Sequence, residues 1–229
     1  MEKYTPEYAE PITGVPIESV RQAARWYAKP LFSGSCLLWG MGITQHTNGT
    51  DNAHGLLNLA LVAGQMGRFG NGISPLRGQN NVQGCGDSGC IPDNLPGYQG
   101  VAEGAAKKFG EAWNCDLPVG SGLTVTEMVD AAGSGKIKAM YITGENPMVA
   151  EPDLAHARKA MDNLEFLVVQ EIFPQETTEI ADVVLPAATF AEKDGTFCNS
   201  ERRVQRVRKA IEPVGLSRPD WEIVCDLSR

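Results

Sequence analysis

Ile137-Lys138-Ala139-Met140-Tyr141-Ile142-Thr143-Gly144-Glu145-Asn146-Pro147 is the stretch that decides the fold class. Residues 137–143 have the length and apolar character of a strand, and Gly144 to Pro147 supply a turn at its carboxyl end. The pattern then predicts a helix over 153–161, a strand over 166–170 and a short helical connection over 177–181. A third strand follows over 183–185, closed by Pro186. Strands that alternate with helices need right-handed crossovers and build a parallel sheet, so the class is α/β. Polar residues gather where these strands end: Gly144, Glu145, Asn146, Gln170 and the segment after Pro186. Ligands of open α/β sheets bind at that edge, although each residue taken singly is also an ordinary turn residue.

The same order of elements occurs once earlier. Ser35-Cys36-Leu37-Leu38-Trp39 is a continuous apolar run, read as a buried parallel strand with Cys36 as plain core. Gly40-Met41-Gly42-Ile43-Thr44-Gln45 turns the chain into a helix over 51–66. Thr50 or Asp51 is its expected cap, and Leu57, Ala60, Leu61 and Gly64 its inner face. A strand, a glycine turn and a helix suit a nucleotide, because the turn and the helix start offer free N–H groups. The match is partial, since Gln45 stands where the third glycine of GxGxxG would be. Ahead of this, residues 1–16 read as extended, punctuated by Pro6, Pro11, Gly14 and Pro16. Residues 17–28 read as a helix with Val20, Ala23, Ala24 and Tyr27 on one face.

Between the two α/β parts lies Leu76-Arg77-Gly78-Gln79-Asn80-Asn81-Val82-Gln83-Gly84, continuing through Cys85 and Asp87 to Cys90, Pro92 and Asp93. It has no apolar period of 2 or 3.6 and reads as loop as far as Tyr98. One arginine among neutral amides suits recognition of an anion or a heteroaromatic ligand; by composition alone an ordinary surface loop is the alternative. Helices are expected over 105–113 and over 124–132, the second capped by Thr124 or Thr126. Asp194-Gly195 is a turn signal, and residues 196–198 and 203–207 alternate like strands. Arg202, Arg203, Arg206, Arg208 and Lys209 form a basic run read as a solvated strand face. Ser217-Arg218-Pro219-Asp220 reads as a helix start with Ser217 as cap, and Trp221, Val224 and Cys225 begin an apolar face. Arg229 follows only about two turns later with no capping glycine, so the sequence reads as a segment of a longer chain.

With 229 residues, 42% of them hydrophobic and 21% charged, the chain has the composition of a soluble globular protein of one large or two small domains. No apolar run approaches a bilayer span, and residues 1–10 lack the pattern of a signal peptide. A net charge of −8 argues against nucleic acid as a partner. The six cysteines include no CxxC pair, which leaves a zinc site or a disulfide framework unsupported. They read as reduced thiols in a cytoplasmic setting, with Cys85 and Cys90 the one pair to compare.

Taken together, Trp39 to Gln45, Arg77 to Gly84, Pro92-Asp93 with Pro96-Gly97-Tyr98, Gly144 to Pro147, Ala181-Asp182-Val183-Val184-Leu185-Pro186 and Asp194-Gly195-Thr196-Phe197 resemble the molybdopterin oxidoreductases of the dimethyl sulfoxide reductase family. Within that family the pattern is similar to the catalytic alpha subunit of formate dehydrogenase, over essentially the whole chain. The resemblance implies Rossmann-like parallel sheets flanked by helices. Residues 1–79 would be the terminal part of one cofactor-binding domain, and 80–229 most of a second, dinucleotide-binding domain. It also implies two-electron oxidation of formate to carbon dioxide at molybdenum or tungsten held by two molybdopterin guanine dinucleotides (bis-MGD), in anaerobic metabolism. Electrons would leave through a [4Fe–4S] cluster to an electron-transfer subunit or domain linked to iron–sulfur, NAD or hydrogenase.

Carried over by position, Arg77 is the catalytic residue, orienting the formate carboxylate through a bidentate contact. Gln79 would contact the pterin, and Met41 and Gln45 would touch cofactor from the first turn. Gly144, Glu145, Asn146, Gln170 and Asp220 would hold one dinucleotide, Asp220 at the guanine. Asn146 and Ala187 depart from the aspartate and the hydroxyl residue that relatives can carry there. None of His46, His54 and His156 adjoins a cysteine, and no metal ligand or cluster-binding cysteine set is expected in this segment, which alone would be inactive. Two readings stay open beside the first. One is another member such as a periplasmic nitrate reductase. The other is a cofactor-free scaffold like the large iron–sulfur subunit of respiratory complex I, against which Arg77 with Gln79 argues.

Overall fold

The computed structural model describes residues 3–30, 34–201 and 203–229, so Arg202 of the basic run lies outside the described residues. The chain divides into two compact units, Met1–Asn80 and Asn81–Arg229.

The first unit contains α1 (Pro6–Thr13), α2 (Ile17–Ala28), β1 (Cys36–Trp39), α3 (Met41–Thr44), α4 (Gly49–Val62) and β2 (Gly72–Pro75). The extended start expected from the prolines is instead α1. Thr5 caps it by accepting from the Tyr8 N–H, and Pro6 stands in the first turn, where its missing N–H costs nothing. Helix α2 spans the predicted residues. Arg21 bridges Glu7 and Glu18, joining it to α1. Strand β1 pairs in parallel with β2, from Cys36 opposite Gly72 to Trp39 opposite Pro75. It is not the fully buried strand its apolar run suggested: exposure alternates along it, Leu38 is 59% exposed, and Cys36 is on the exposed side rather than in the core. Helix α4 begins ahead of Thr50 and Asp51, so both lie inside its first turn rather than capping it. Ala60 is buried as expected, but Leu61 is 62% exposed. Gln65 is buried; it accepts from the Ser35 N–H (3.1 Å) and donates to the Ala28 carbonyl (3.2 Å), fixing the end of α2 to the start of β1.

The second unit contains α5 (Val82–Asp87), β3 (Asn94–Leu95), β4 (Gln99–Gly100), α6 (Glu103–Trp113), α7 (Val125–Gly133), β5 (Ala139–Thr143), α8 (Pro147–Ala150), α9 (Leu154–Asp162), β6 (Phe166–Glu171), α10 (Glu176–Glu179) and β7 (Val183–Pro186). A 3-10 turn (Phe190–Glu192), β8 (Gly195–Cys198), β9 (Val204–Val207) and α11 (Asp220–Leu227) complete it. The stretch read as loop as far as Tyr98 thus holds a short helix and a two-residue hairpin. Asn81 sets α5 against β8: its Nδ2 donates to the Thr196 carbonyl (3.1 Å) and its Oδ1 accepts from the Cys198 N–H (3.0 Å).

Strands β5, β6 and β7 form a parallel sheet in that order, with Thr143 opposite Gln170 and Gln170 opposite Leu185. Helices α7 and α9 pack on each other, and Val129, Ala132, Ala160 and Met161 form a core against Met140 and Ile142 of β5. The small side chains of Ala132 and Ala160, both fully buried, let the two helices approach closely. Thr124, not Thr126, caps α7, and Glu127 closes the capping box. Asp153 caps α9 through the His156 N–H (3.0 Å).

Strands β8 and β9 form an antiparallel hairpin. Its connection lies between Cys198 and Val204, where Asn199 accepts the Glu201 and Arg203 N–H groups, and not at Asp194-Gly195. Arg203, Arg206 and Lys209 lie within ion-pair distance of Glu201, Asp194 and Glu212, all exposed and so worth little stability. Pro219 precedes α11 as its cap residue, whereas the Ser217 hydroxyl donates to Val214 O (2.7 Å). The apolar contact of α11 is made by buried Ile223; Trp221 and Val224, expected on that face, are 60% and 54% exposed. No helix among the described residues is long and apolar enough to cross a membrane.

Candidate functional site

In the second unit, β5, β6 and β7 end side by side at Thr143, Glu171 and Pro186. Gly144 leaves β5 in a left-handed conformation (φ 64°), which a side chain would strain, and its N–H donates to Gln170 O (3.0 Å). Gln170 is fully buried. Its Nε2 donates to Asp220 Oδ1 (2.7 Å), and its Oε1 accepts from the Tyr141 hydroxyl. Asp220 reaches this edge because Arg218 runs alongside the end of β7: the Arg218 N–H donates to Pro186 O (3.1 Å) and the Ala188 N–H to Arg218 O (2.8 Å). Asp220 is then the first residue of α11, where the helix dipole favours its charge. Lys193 donates to the other Asp220 oxygen and to Ala188 O (3.2 Å).

Gly144, Gln170, Ala188, Lys193 and Asp220 line one cleft of about 270 Å³. The Asp220 side chain is 39% exposed, and each of its oxygens, with one protein donor, keeps acceptor capacity for another. Burial pushes the Tyr141 phenol up, and the Asp220 charge adds to the shift. The segment carrying Lys193 is held by Glu192, which is buried and accepts from the N–H groups of Thr189 (2.7 Å) and Val214 (2.9 Å). The Thr189 N–H is the main reason its carboxyl lies below the usual range, outweighing burial.

Three of the five residues expected here, Gly144, Gln170 and Asp220, are therefore brought together, and Glu145 and Asn146 are not among the lining residues. Asn146 is engaged by α10: its Oδ1 accepts from the Thr177 hydroxyl (2.7 Å) and its Nδ2 donates to Glu176 (2.8 Å), which holds the Glu176 carboxyl below its usual range. The Glu145 carbonyl accepts from Gln175 (3.0 Å), so the turn after β5 is braced by α10 and its cap. Lys193 and Tyr141 are members of this edge that sequence reading missed. Lys193 lies in the polar segment after Pro186, just ahead of Asp194-Gly195, but its pairing with Asp220 exists only once the chain is folded.

In the first unit, the four expected residues follow the two paired strands. Met41 and Gln45 come after β1, Arg77 and Gln79 after β2. The Leu76 N–H donates to Trp39 O (2.7 Å), carrying the pairing one residue past β2, so Arg77 emerges beside the Gly40-Met41 turn. All four residues are exposed. Among the described residues, the side chains of Arg77, Gln45 and Gln79 make no hydrogen bond, and Arg77 no ion pair. A free guanidinium carries five donors in a planar fork that matches a carboxylate or phosphate. No cluster of three or more His, Cys, Asp or Glu side chains placed to hold a metal ion occurs among the described residues.

The alpha subunit of an F420-dependent formate dehydrogenase from Methanocaldococcus jannaschii is 50% identical over 228 residues, covering 100% of this chain and 33% of that protein. Formate dehydrogenase H from Escherichia coli is 41% identical over 230 residues, covering 100% of this chain and 32% of that protein. The chain thus spans about a third of the length of these relatives. Acetylene hydratase from Pelobacter acetylenicus shares the fold, with a TM-score of 0.66 at 16% identity over 99% of this chain and 34% of that one. The sequence model of molybdopterin oxidoreductases matches residues 26–229, and the chain belongs to that family.

Proposed function

We propose that this chain is the central, dinucleotide-holding portion of a formate dehydrogenase catalytic subunit, oxidising formate to carbon dioxide in a two-electron step. Relatives named formate dehydrogenases, 50% and 41% identical across the whole chain, support this reading. The observation that carries it is Arg77, exposed and without a hydrogen-bond or ion-pair partner among the described residues, at the carboxyl edge of β1 and β2. Such a guanidinium binds the formate carboxylate bidentately and orients it. Gln79, Gln45 and Met41, on the same edge, supply amide and thioether contacts to the pterin.

The donors and acceptors of the second unit suit a guanine. Its N–H edge meets the Asp220 carboxylate, its oxygen meets the Lys193 ammonium, and Gln170 fixes Asp220 from below. Gly144 leaves open space beside its backbone for the ribose and phosphate. Glu145 and Asn146 keep the turn in shape through α10. When bound, molybdenum or tungsten on two molybdopterin guanine dinucleotides supplies the two-electron acceptor. A [4Fe–4S] cluster outside this segment and an electron-transfer partner linked to iron–sulfur, NAD or hydrogenase complete the reading, in the cytoplasm and in anaerobic metabolism.

The test is formate-dependent dye reduction together with molybdenum and tungsten analysis on the full-length protein expressed anaerobically. Formate oxidation with bound metal is the expected result. Metal without formate activity would move the substrate elsewhere in the family, and absence of both metal and pterin would end the cofactor reading.

A further inference from the structure

Helix α5 ends in a Schellman turn. Gly89 adopts φ 85°, the Cys90 N–H donates to Cys85 O (3.0 Å), and the Gly89 N–H donates to Gly86 O (3.0 Å). The turn requires glycine twice over, because a Cβ on Gly89 would also stand 2.6 Å from Pro96 N. In this motif the side chains three residues inside the helix end and two beyond the cap come into contact, commonly as an apolar pair. Here those two positions are Cys85 and Cys90. The Cys85 thiol donates to the Cys90 carbonyl (3.9 Å), and both residues are exposed. Burial pushes the Cys85 thiol up, and the Cys90 thiol beside it adds to the shift. The third nearby thiol is engaged elsewhere, since Cys198 donates to Asp87 (3.3 Å).

We propose that Cys85 and Cys90 are a redox-sensitive pair that closes to an intramolecular disulfide across the Schellman turn. The oxidant is a disulfide of small-molecule thiol class. One cysteine thiolate attacks it, forming a mixed disulfide and releasing one small thiol. The second cysteine, deprotonated, then attacks the mixed disulfide, forms the Cys85–Cys90 bond and releases the other. Two protein thiols are oxidised and one small disulfide is reduced to two thiols, so atoms and electrons balance. Contraction of the turn is small, because its backbone hydrogen bonds already hold the two residues together. The bond latches the end of a helix that carries Gly84 and Gly86 and has little helical propensity of its own.

Trypsin reports the outcome directly. Cys85 and Cys90 fall in one peptide, residues 78–107, and Cys198 falls in another that begins at residue 194. The full-length protein is incubated with oxidised glutathione, quenched in acid, alkylated and digested. The expected result is loss of both alkylation sites from 78–107 and a mass lower by two hydrogens than the dithiol peptide, reversed by reduced dithiothreitol. The reaction quickens as pH rises, because the attacking species is the thiolate and burial holds the Cys85 thiol above its ordinary value. Cys90→Ser leaves Cys85 alkylated and uncrosslinked, with the other cysteine peptides unchanged. Full alkylation of both residues after oxidation, or a crosslink to the Cys198 peptide, would overturn the proposal. Neither readout involves formate, so its failure and that of the cofactor reading are distinguishable.

Discussion

The carboxyl edges of the two parallel sheets hold their polar residues in opposite states. At the end of β1 and β2, Arg77, Gln45 and Gln79 are exposed, with no protein hydrogen bond among the described residues. At the end of β5, β6 and β7, Tyr141, Gln170, Asp220 and Lys193 are joined in one line of hydrogen bonds. The first edge keeps its donors for a ligand. The second sets a carboxylate in place before any ligand arrives, and each deletion there strands a partner in or near the interior. Substitutions at the first edge should therefore alter function without altering stability, and those at the second should alter both.

The largest effect is expected at Arg77. Arg77→Ala in the full-length protein should lower formate turnover by about 10²-fold or more, with metal content and melting temperature nearly unchanged. Arg77→Lys should recover little, because an ammonium lacks the fork. Turnover at the parent level would remove Arg77 from the reaction; a melting loss like that of an interior residue would break the contrast. Asp220→Ala comes next: it should release cofactor, read as guanine nucleotide and metal lost on gel filtration, and full occupancy would end the guanine assignment. Gln170→Ala should cost about 1–3 kcal/mol, because it leaves the Tyr141 hydroxyl and Asp220 short of a partner, and a calorimetric scan reads this.

The smallest effect concerns pH. The Glu192 carboxyl is depressed in the folded protein, so its contribution is complete above the unfolded-state value and is lost as pH falls through the lower folded value. Glu192→Gln should flatten the acid side of a plot of melting temperature against pH. An unchanged acid limb would mean that Thr189 and Val214 do not hold a charged group.

The parallel sheet of β5, β6 and β7 and the longer helices are legible in the sequence because they rest on apolar period and length. What escaped it were features set by a partner far along the chain. Strand β2 is only Gly-Ile-Ser-Pro, a poor strand by composition, and it exists because β1 offers a parallel edge. Exposure of Cys36 and Leu38 could not be read from an apolar run that looks the same whether one face or two are covered. Pro6 and Pro11 suggested an extended start, yet Thr5 caps a helix that admits both. Among the expected site residues, Gln170 is marked by its place at a strand end as well as by the resemblance and Asp220 by the resemblance, while nothing local ties Lys193 to a residue in the next helix.

Asn81 gives the second unit a particular order of assembly. Its side chain binds Thr196 and Cys198 across sequence separations of 115 and 117 residues. Contacts that distant are entropically expensive until the intervening chain is already compact. Helix α5 has six residues, too few to persist in isolation. The hairpin of β8 and β9 pairs residues close in sequence, whereas α5 depends on that hairpin for its longest-range contacts. The amides of α5 are thus expected to exchange with solvent ahead of those of β5 and β6 under mild denaturant, read by native-state hydrogen exchange.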